Sequence, residues 1–280
     1  MEQNGCKNLI EAVRQDDVVC VVRLLSEGAD PNVRDEDGRT PLHYAVLRGS
    51  FVVRTLLRYG ADPDVADSNG VTPLHIASAF GLRDVVQLLL NHGRRLNVNV
   101  QNEYGVTPLH EAARRCSPDV VRLLLMSGAD PNVKDNTGNT PLHETAFLRP
   151  CAEVAKILLE VGADPNARNR HDATPLHRAA LHGDPKLIKL LLRYGANPNV
   201  QDDLGRTPLH NAVMLRKIDA VKILLQHGAN PMAKDNSGKT PLDYAIERGD
   251  AKITEVLAKS ASAGGGLMKY IKTDTRQEQA

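Results

Sequence analysis

Asp135–Ala167 reads DNTGNTPLHETAFLRPCAEVAKILLEVGADPNA. Asp135 and Gly138 suit the first and fourth positions of a type I turn. Thr140 is a good N-cap, because its hydroxyl can accept from a free N–H two or three residues on. Pro141 then fits the first helical position, where no N–H partner is needed. A short helix follows and Pro150 interrupts it. A second helix, AEVAKILLEV, sets Val154, Ile157 and Leu158 on one face. Gly162 suits a left-handed C-cap, with Pro165 just beyond it. The segment is a turn, a short helix, a loop, a second helix and a turn.

The same text recurs. Thr-Pro-Leu starts at Thr40, Thr72, Thr107, Thr140, Thr174, Thr207 and Thr240, at intervals of 32, 35, 33, 34, 33 and 33 residues. Six copies continue with His, and the seventh has Asp243. Gly-Ala-Asp or Gly-Ala-Asn recurs at Gly28, Gly60, Gly128, Gly162, Gly195 and Gly228. A period of this length marks units that stack one on the next, because no single unit can bury its apolar face alone.

The T-P-L-H-x-A signature and its spacing resemble the ankyrin-repeat family. The expected fold is an all-α repeat solenoid of helix-loop-helix units joined by β-hairpin-like turns. It would hold eight repeats over residues 5–259: 5–34, 35–66, 67–101, 102–134, 135–168, 169–201, 202–234 and 235–259. The first repeat lacks TPLH but keeps LIEAV and VRLLSEGADPN, as an N-terminal cap would; the polar DYAIERGDAKITEVLAKS reads as the C-terminal cap. Residues 260–280, small, Gly-rich and polar, read as a disordered tail. Local departures are two extra residues between Gly93 and Thr107, Asp172 in place of a turn glycine, and Met232 in place of an Asn.

Composition agrees with a soluble folded chain. Of 280 residues 25% are charged, 41% hydrophobic and 3% aromatic, with three Phe and no Trp, so the core is expected to be Leu, Val, Ile and Ala. A net charge of +1 gives no global pull towards nucleic acid or an anionic membrane. Cys6, Cys20, Cys116 and Cys151 show no paired spacing and no CxxC, so neither a disulfide framework nor a zinc knuckle is expected. With no signal-peptide run and no membrane-length apolar window, the reading is a cytoplasmic monomer, with the nucleus also open to it.

TPLHEAARRC, Thr107–Cys116, offers a histidine, a carboxylate, two arginines and a cysteine within ten residues. On a helix Glu111 diverges from His110, and Cys116 lies about 9 Å further along, so the three do not converge on one ion. Glu111 instead has Arg114 and Arg115 at the spacing of surface ion pairs. The six TPLH histidines, on stacked repeats about 8–10 Å apart, cannot share a metal. Each is expected to hydrogen-bond the hairpin and the helix start. His171 and His182 fall at surface positions with no evident partner. No phosphate loop, GxGxxG after a strand, GxSxG or HExxH is present, so no enzyme and no cofactor are expected.

The resemblance implies a non-catalytic protein-protein interaction scaffold that holds a partner protein in a concave groove. The contact positions are the hairpin tips and the residues one, four and five after each TPLH histidine. In this sequence the last two of those positions give Phe80, then Arg114 and Arg115, then Phe147 and Leu148, Leu181 and His182, and Met214 and Leu215. Leu204 and Arg206, near a hairpin tip, would form one rim and Arg114 with Arg115 the other. Apolar residues thus fill solvent-facing positions of the fifth to seventh repeats. The competing reading is nucleic-acid or phosphorylated-partner binding through Arg94, Arg95, Arg114 and Arg115, against which stands the lack of interleaved aromatics.

Overall fold

The structure is a computed structural model, and it describes residues 6–92, 96–147 and 150–263. Among the described residues every regular element is a helix. The first helices of the repeats are α1 (Leu9–Arg14), α3 (Pro41–Ala45), α5 (Pro73–Ala79), α7 (Pro108–Arg115), α9 (Pro141–Glu144), α11 (Pro175–His182), α13 (Pro208–Met214) and α15 (Pro241–Glu247). The second helices are α2 (Val18–Ser26), α4 (Ser50–Arg58), α6 (Arg83–Leu90), α8 (Pro118–Met126), α10 (Ala152–Glu160), α12 (Pro185–Arg193), α14 (Ile218–Gln226) and α16 (Ala251–Ala263). The chain belongs to two compact bodies: Met1–Glu144 with Glu160–Gly162, and Thr145–Leu159 with Ala163 onward.

From α3 onward each first helix starts where Thr-Pro dictates; α1 starts instead after Asn8. Thr72, Thr107, Thr174 and Thr207 are extended, and the proline that follows occupies the first turn, where its missing N–H costs nothing. The hairpin before it is closed by an aspartate or asparagine. In the second repeat Asp35 Oδ1 accepts from the N–H groups of Asp37 (3.0 Å) and Arg39 (2.9 Å). Hairpin tips then bond to one another in series. In the first body Ser68 N–H donates to the Asp37 carbonyl and Asn136 N–H to that of Tyr104, both at 2.9 Å. In the second body Asn236 N–H donates to the Leu204 carbonyl at 3.0 Å. Gly205 is needed there twice over: its φ is +73°, and a Cβ would come within 2.4 Å of Asn236 Oδ1.

In the first body α5 packs on α7 and α7 on α9; in the second α11 packs on α13 and α13 on α15. The TPLH leucines (Leu42, Leu74, Leu109, Leu142, Leu176, Leu209) are buried, as are Leu56, Leu89, Leu124, Leu191 and Leu224 on the second helices. Buried alanines such as Ala77, Ala112, Ala179 and Ala212 keep the short helices close, which is why so few aromatic residues suffice. A second ladder explains the recurrent Asn. Asn166 donates from Nδ2 to the Gly195 carbonyl (2.9 Å), and its Oδ1 accepts from Asn197 N–H (2.7 Å). Asn199 repeats this with Gly228 and Asn230. Met232 stands where no further Gly-Ala-Asp turn follows in the sequence, so the amide is not required.

Two expectations need correction. The last helix persists to Ala263 with Ala261 buried, four residues past the expected end, because Ser260–Ala263 are small residues that helix readily tolerates. Residues 264–280, including LMKYIK, lie outside the described residues. The cysteines are also not free: Cys6 and Cys20 form a disulfide with their Cα atoms 5.7 Å apart, and Cys116 and Cys151 are disulfide-bonded too. Sequence spacing misses such bonds because it is the fold that brings the sulfurs together; Cys6 and Cys20 are 14 residues apart. The expectation of no disulfide framework is therefore overturned. No helix among the described residues is long and apolar enough to cross a membrane.

Candidate partner-binding surface

The repeated histidine carries no chemistry to spare. His110 Nδ1 accepts from Thr107 N–H (3.2 Å) and lies 2.8 Å from Thr107 Oγ1, while Nε2 faces the Asn139 carbonyl at 3.0 Å. A carbonyl only accepts, so the ring is the Nε2–H tautomer, and both nitrogens are used. Burial holds its pKa below the ordinary histidine range. His43, His75, His177 and His210 make the same pair of contacts, reaching Val71, Val106, Arg206 and Lys239. The side chain is thus a joint between one repeat's helix start and the next repeat's hairpin. Asp243 keeps only the near half: Oδ2 accepts from Thr240 N–H and Oγ1–H, both at 2.7 Å.

The rest of TPLHEAARRC is divided among separate tasks. Arg114 donates from Nε to Glu144 Oε2 at 2.8 Å, reaching the following repeat. The local Glu111 spacing does not fix its partner. Glu144 is buried and this bond places a cation beside it. Glu111 is half-buried, and burial pushes its carboxyl above the usual range. Cys116 caps α7 in the left-handed conformation at φ +58°. Arg115 is exposed. His171, expected to lack a partner, has one: its Nδ1 lies 2.9 Å from Asp203 Oδ2 on the neighbouring hairpin. Among the described residues no three His, Cys, Asp or Glu side chains gather as metal ligands.

The expected contact residues divide between the two bodies. Phe80, Arg114 and Arg115 lie in the first, where Phe80 is exposed at the end of α5. Phe147, Leu181, His182, Leu204, Arg206, Met214 and Leu215 lie in the second. Phe147 (45% exposed), Leu181 (38%) and Leu215 (48%) face solvent. Leu204 is exposed at its hairpin tip and His182 at the end of α11. Met214 is half-buried, because the end of α13 turns it partly towards the neighbouring helices. The Arg178 guanidinium stands 5.6 Å from the Phe147 ring centre, a cation–π contact that holds the ring upright. Leu148, Arg94 and Arg95 lie outside the described residues.

Sequence reasoning missed Ile246 (58% exposed) and Tyr104. Ile246 sits three residues after Asp243, a position where Ala113, Ala180 and Val213 are buried under the next first helix. No described helix covers it. A large apolar residue at a position otherwise held by Ala, Val or Ser was the available signal.

A family model described as ankyrin repeats (3 copies) matches residues 9–100, 50–135, 94–169 and 176–264. Among curated proteins, an ankyrin repeat protein of Pyrobaculum aerophilum is 49% identical over 39 residues, 14% of this chain and 15% of that protein. The Arf-GAP with coiled-coil, ANK repeat and PH domain-containing protein 2 of Gallus gallus is 47% identical over 49 residues, 18% of this chain and 6% of that protein. The aligned segments thus span a small share of either relative. The family match covers most of the sequence, and the histidine joints, stacked hairpins and paired helices recur through it: the chain belongs to the ankyrin-repeat family.

Proposed function

We propose that the chain is a non-catalytic scaffold that binds a partner protein on the first-helix face of its second body. The observation that supports this reading is the strip of Phe147, Leu181 and Leu215. Three large apolar side chains at successive first-helix ends stand in solvent, one of them among only three Phe in the chain. Such a patch on a folded surface marks a contact site. Leu204 at the hairpin tip and His182 at the end of α11 extend it, and Met214 backs it. The arginine-patch reading has less support, since Arg114 is engaged by Glu144.

The test is the Phe147→Ala, Leu181→Ala double variant. Partners captured by the wild-type chain are identified by mass spectrometry and their affinities are then measured against both proteins. The expected result is a loss of more than about tenfold in affinity with an almost unchanged melting temperature, because hot-spot truncations cost about 2 kcal/mol or more. Unchanged affinity in a folded double variant sinks the reading. A steep loss of binding as salt is raised would return attention to phosphate contacts.

A further inference from the structure

All three Phe of the chain stand outside its core: Phe51 is 63% exposed, Phe80 54% and Phe147 45%. Phe51 and Phe80 lie in the first body, at the end where each first helix turns into its second. A cavity of about 500 Å³ opens there between the turn after α3 and the start of α6. Its apolar wall is Val46, Leu47, Leu82 and Val85. Phe51 follows the lining residue Ser50, and Phe80 precedes Leu82 by two positions. The gap has a cause in the sequence. Leu82 caps α6 after Gly81, and Asp184 caps α12 after Gly183, but Gly49 caps α4 itself, so this turn is one residue shorter. A Cβ on Gly81 would stand 2.7 Å from Ser117 Oγ, and one on Gly183 would stand 2.6 Å from the Lys217 side chain. A Cβ on Gly49 would meet nothing within 4 Å. The turn of the second repeat thus stands off from the third, where the turns of the third and sixth close on their neighbours.

Exposed cations border this gap. Arg48 and Arg83 line the cavity, and both are exposed. Arg48 Nη2 donates to the Arg14 carbonyl at 2.7 Å, which fixes the side chain; its other N–H groups have no acceptor among the described residues. Arg115 is also exposed, and its Cγ lies 3.9 Å from where a Cβ on Gly81 would stand, beside the Phe80–Leu82 turn. Asp84 is the one carboxylate in the lining, and it meets Arg83 at 3.3 Å in an exposed pair, which holds weakly. In the preceding repeat Asp17 is engaged by Cys20 N–H at the head of α2. A guanidinium binds a carboxylate through two parallel N–H bonds, and a large apolar side chain in a recess is the usual anchor of a protein contact.

We infer that this cavity is a second docking site, carried by the first body, and that its occupant is an acidic segment of a partner protein. A large apolar side chain of that segment fills the gap between Leu47 and Leu82, while a neighbouring carboxylate meets Arg48. The site stands independently of the strip of Phe147, Leu181 and Leu215. Single-stranded nucleic acid fits less well, because the cavity wall is aliphatic and bases stack on successive aromatic rings.

The experiment is a display selection of random peptides on the full chain carrying Phe147→Ala and Leu181→Ala, which takes the proposed second-body site out of the outcome. Affinities of the enriched peptides are then measured against the same chain with Arg48→Gln, Arg48→Lys or Leu47→Ser added, and circular dichroism confirms native helix content. The enriched peptides are expected to pair Asp or Glu with Leu, Met or Phe. Their binding should fall about tenfold on Arg48→Gln and on Leu47→Ser, and Arg48→Lys should keep part of it. Peptides without acidic enrichment, peptides indifferent to Arg48→Gln or to Leu47→Ser, or a selection without binders overturn the inference and leave the reading of the second body standing. Displacement of the peptides by a single-stranded RNA oligonucleotide at physiological salt assigns the cavity to nucleic acid and also overturns it.

Discussion

His75 donates its Nε2–H to the carbonyl of Val106, 3.0 Å away, and so ties the start of α5 to the hairpin of the following repeat. Its Nδ1 accepts from Thr72 N–H at 3.2 Å, and only a neutral ring can accept there while donating from Nε2. Burial, the largest cause, lowers the pKa of His75, as it does for His43, His110, His177 and His210.

Stability should therefore fall on acidification. In the unfolded chain these histidines take up protons as the pH drops through about 6.5, while the folded chain keeps them neutral to lower pH. The unfolded state then binds more protons, so each such histidine costs up to about 1.4 kcal/mol per pH unit below that point. Urea midpoints measured from neutral pH down to the carboxylate range should decline steeply once below the histidine pKa. A flat profile across that window would show that the rings are protonated in the folded state.

Ser78 offers a way to stabilise the chain. It is fully buried on α5, and its hydroxyl has no hydrogen-bond partner. Ala113, Ala146 and Ala180 occupy the same repeat position. Ser78→Ala removes an unsatisfied polar group and is expected to gain about 1 kcal/mol. Chemical denaturation reads this directly, and a lower midpoint would mean that the hydroxyl is satisfied in solution.

Gly205→Ala should have the opposite effect. The left-handed backbone alone costs an L-residue about 1–2 kcal/mol. The added methyl group also meets Asn236 Oδ1 and the Asn236 backbone N. A destabilisation well above the backbone cost is expected, with loss of amide protection at Asn236. Gly228→Ala shares a positive φ but meets nothing within 4 Å, so it should show the backbone cost only. Equal effects of the two substitutions would show that the hairpins are not closely stacked.

The Cys6–Cys20 bond should hold the first helix pair. Closing a loop of this size removes about 3 kcal/mol of unfolded-state entropy. In Cys6→Ser, Cys20→Ser protein, hydrogen exchange should accelerate in α1 and α2 while α7 and α8 keep their protection. Exchange identical to wild type under both oxidising and reducing conditions would show that the cap does not depend on the bond.

The sequence by itself determined the repeat. Thr-Pro starts, glycine turns and apolar faces act within a few residues, and their recurrence at a fixed interval leaves one way to bury the faces. The role of the TPLH histidine was legible for the same reason: one repeated residue meets one repeated neighbour. The tertiary structure decided whatever depends on residues about a repeat apart whose identities vary. Arg39 and Arg206 have the same local text, and only the difference between Ile76 and Tyr244 in the repeats that follow them leaves Arg39 bonded to Asp67 and Arg206 with its Nε unpaired. Glu144 took Arg114 from thirty residues away, and Cys6 found Cys20 only once α1 and α2 were folded back on each other. Hydrogen bonds and burial are settled by what stands in the adjoining repeat, and no local pattern records that neighbour.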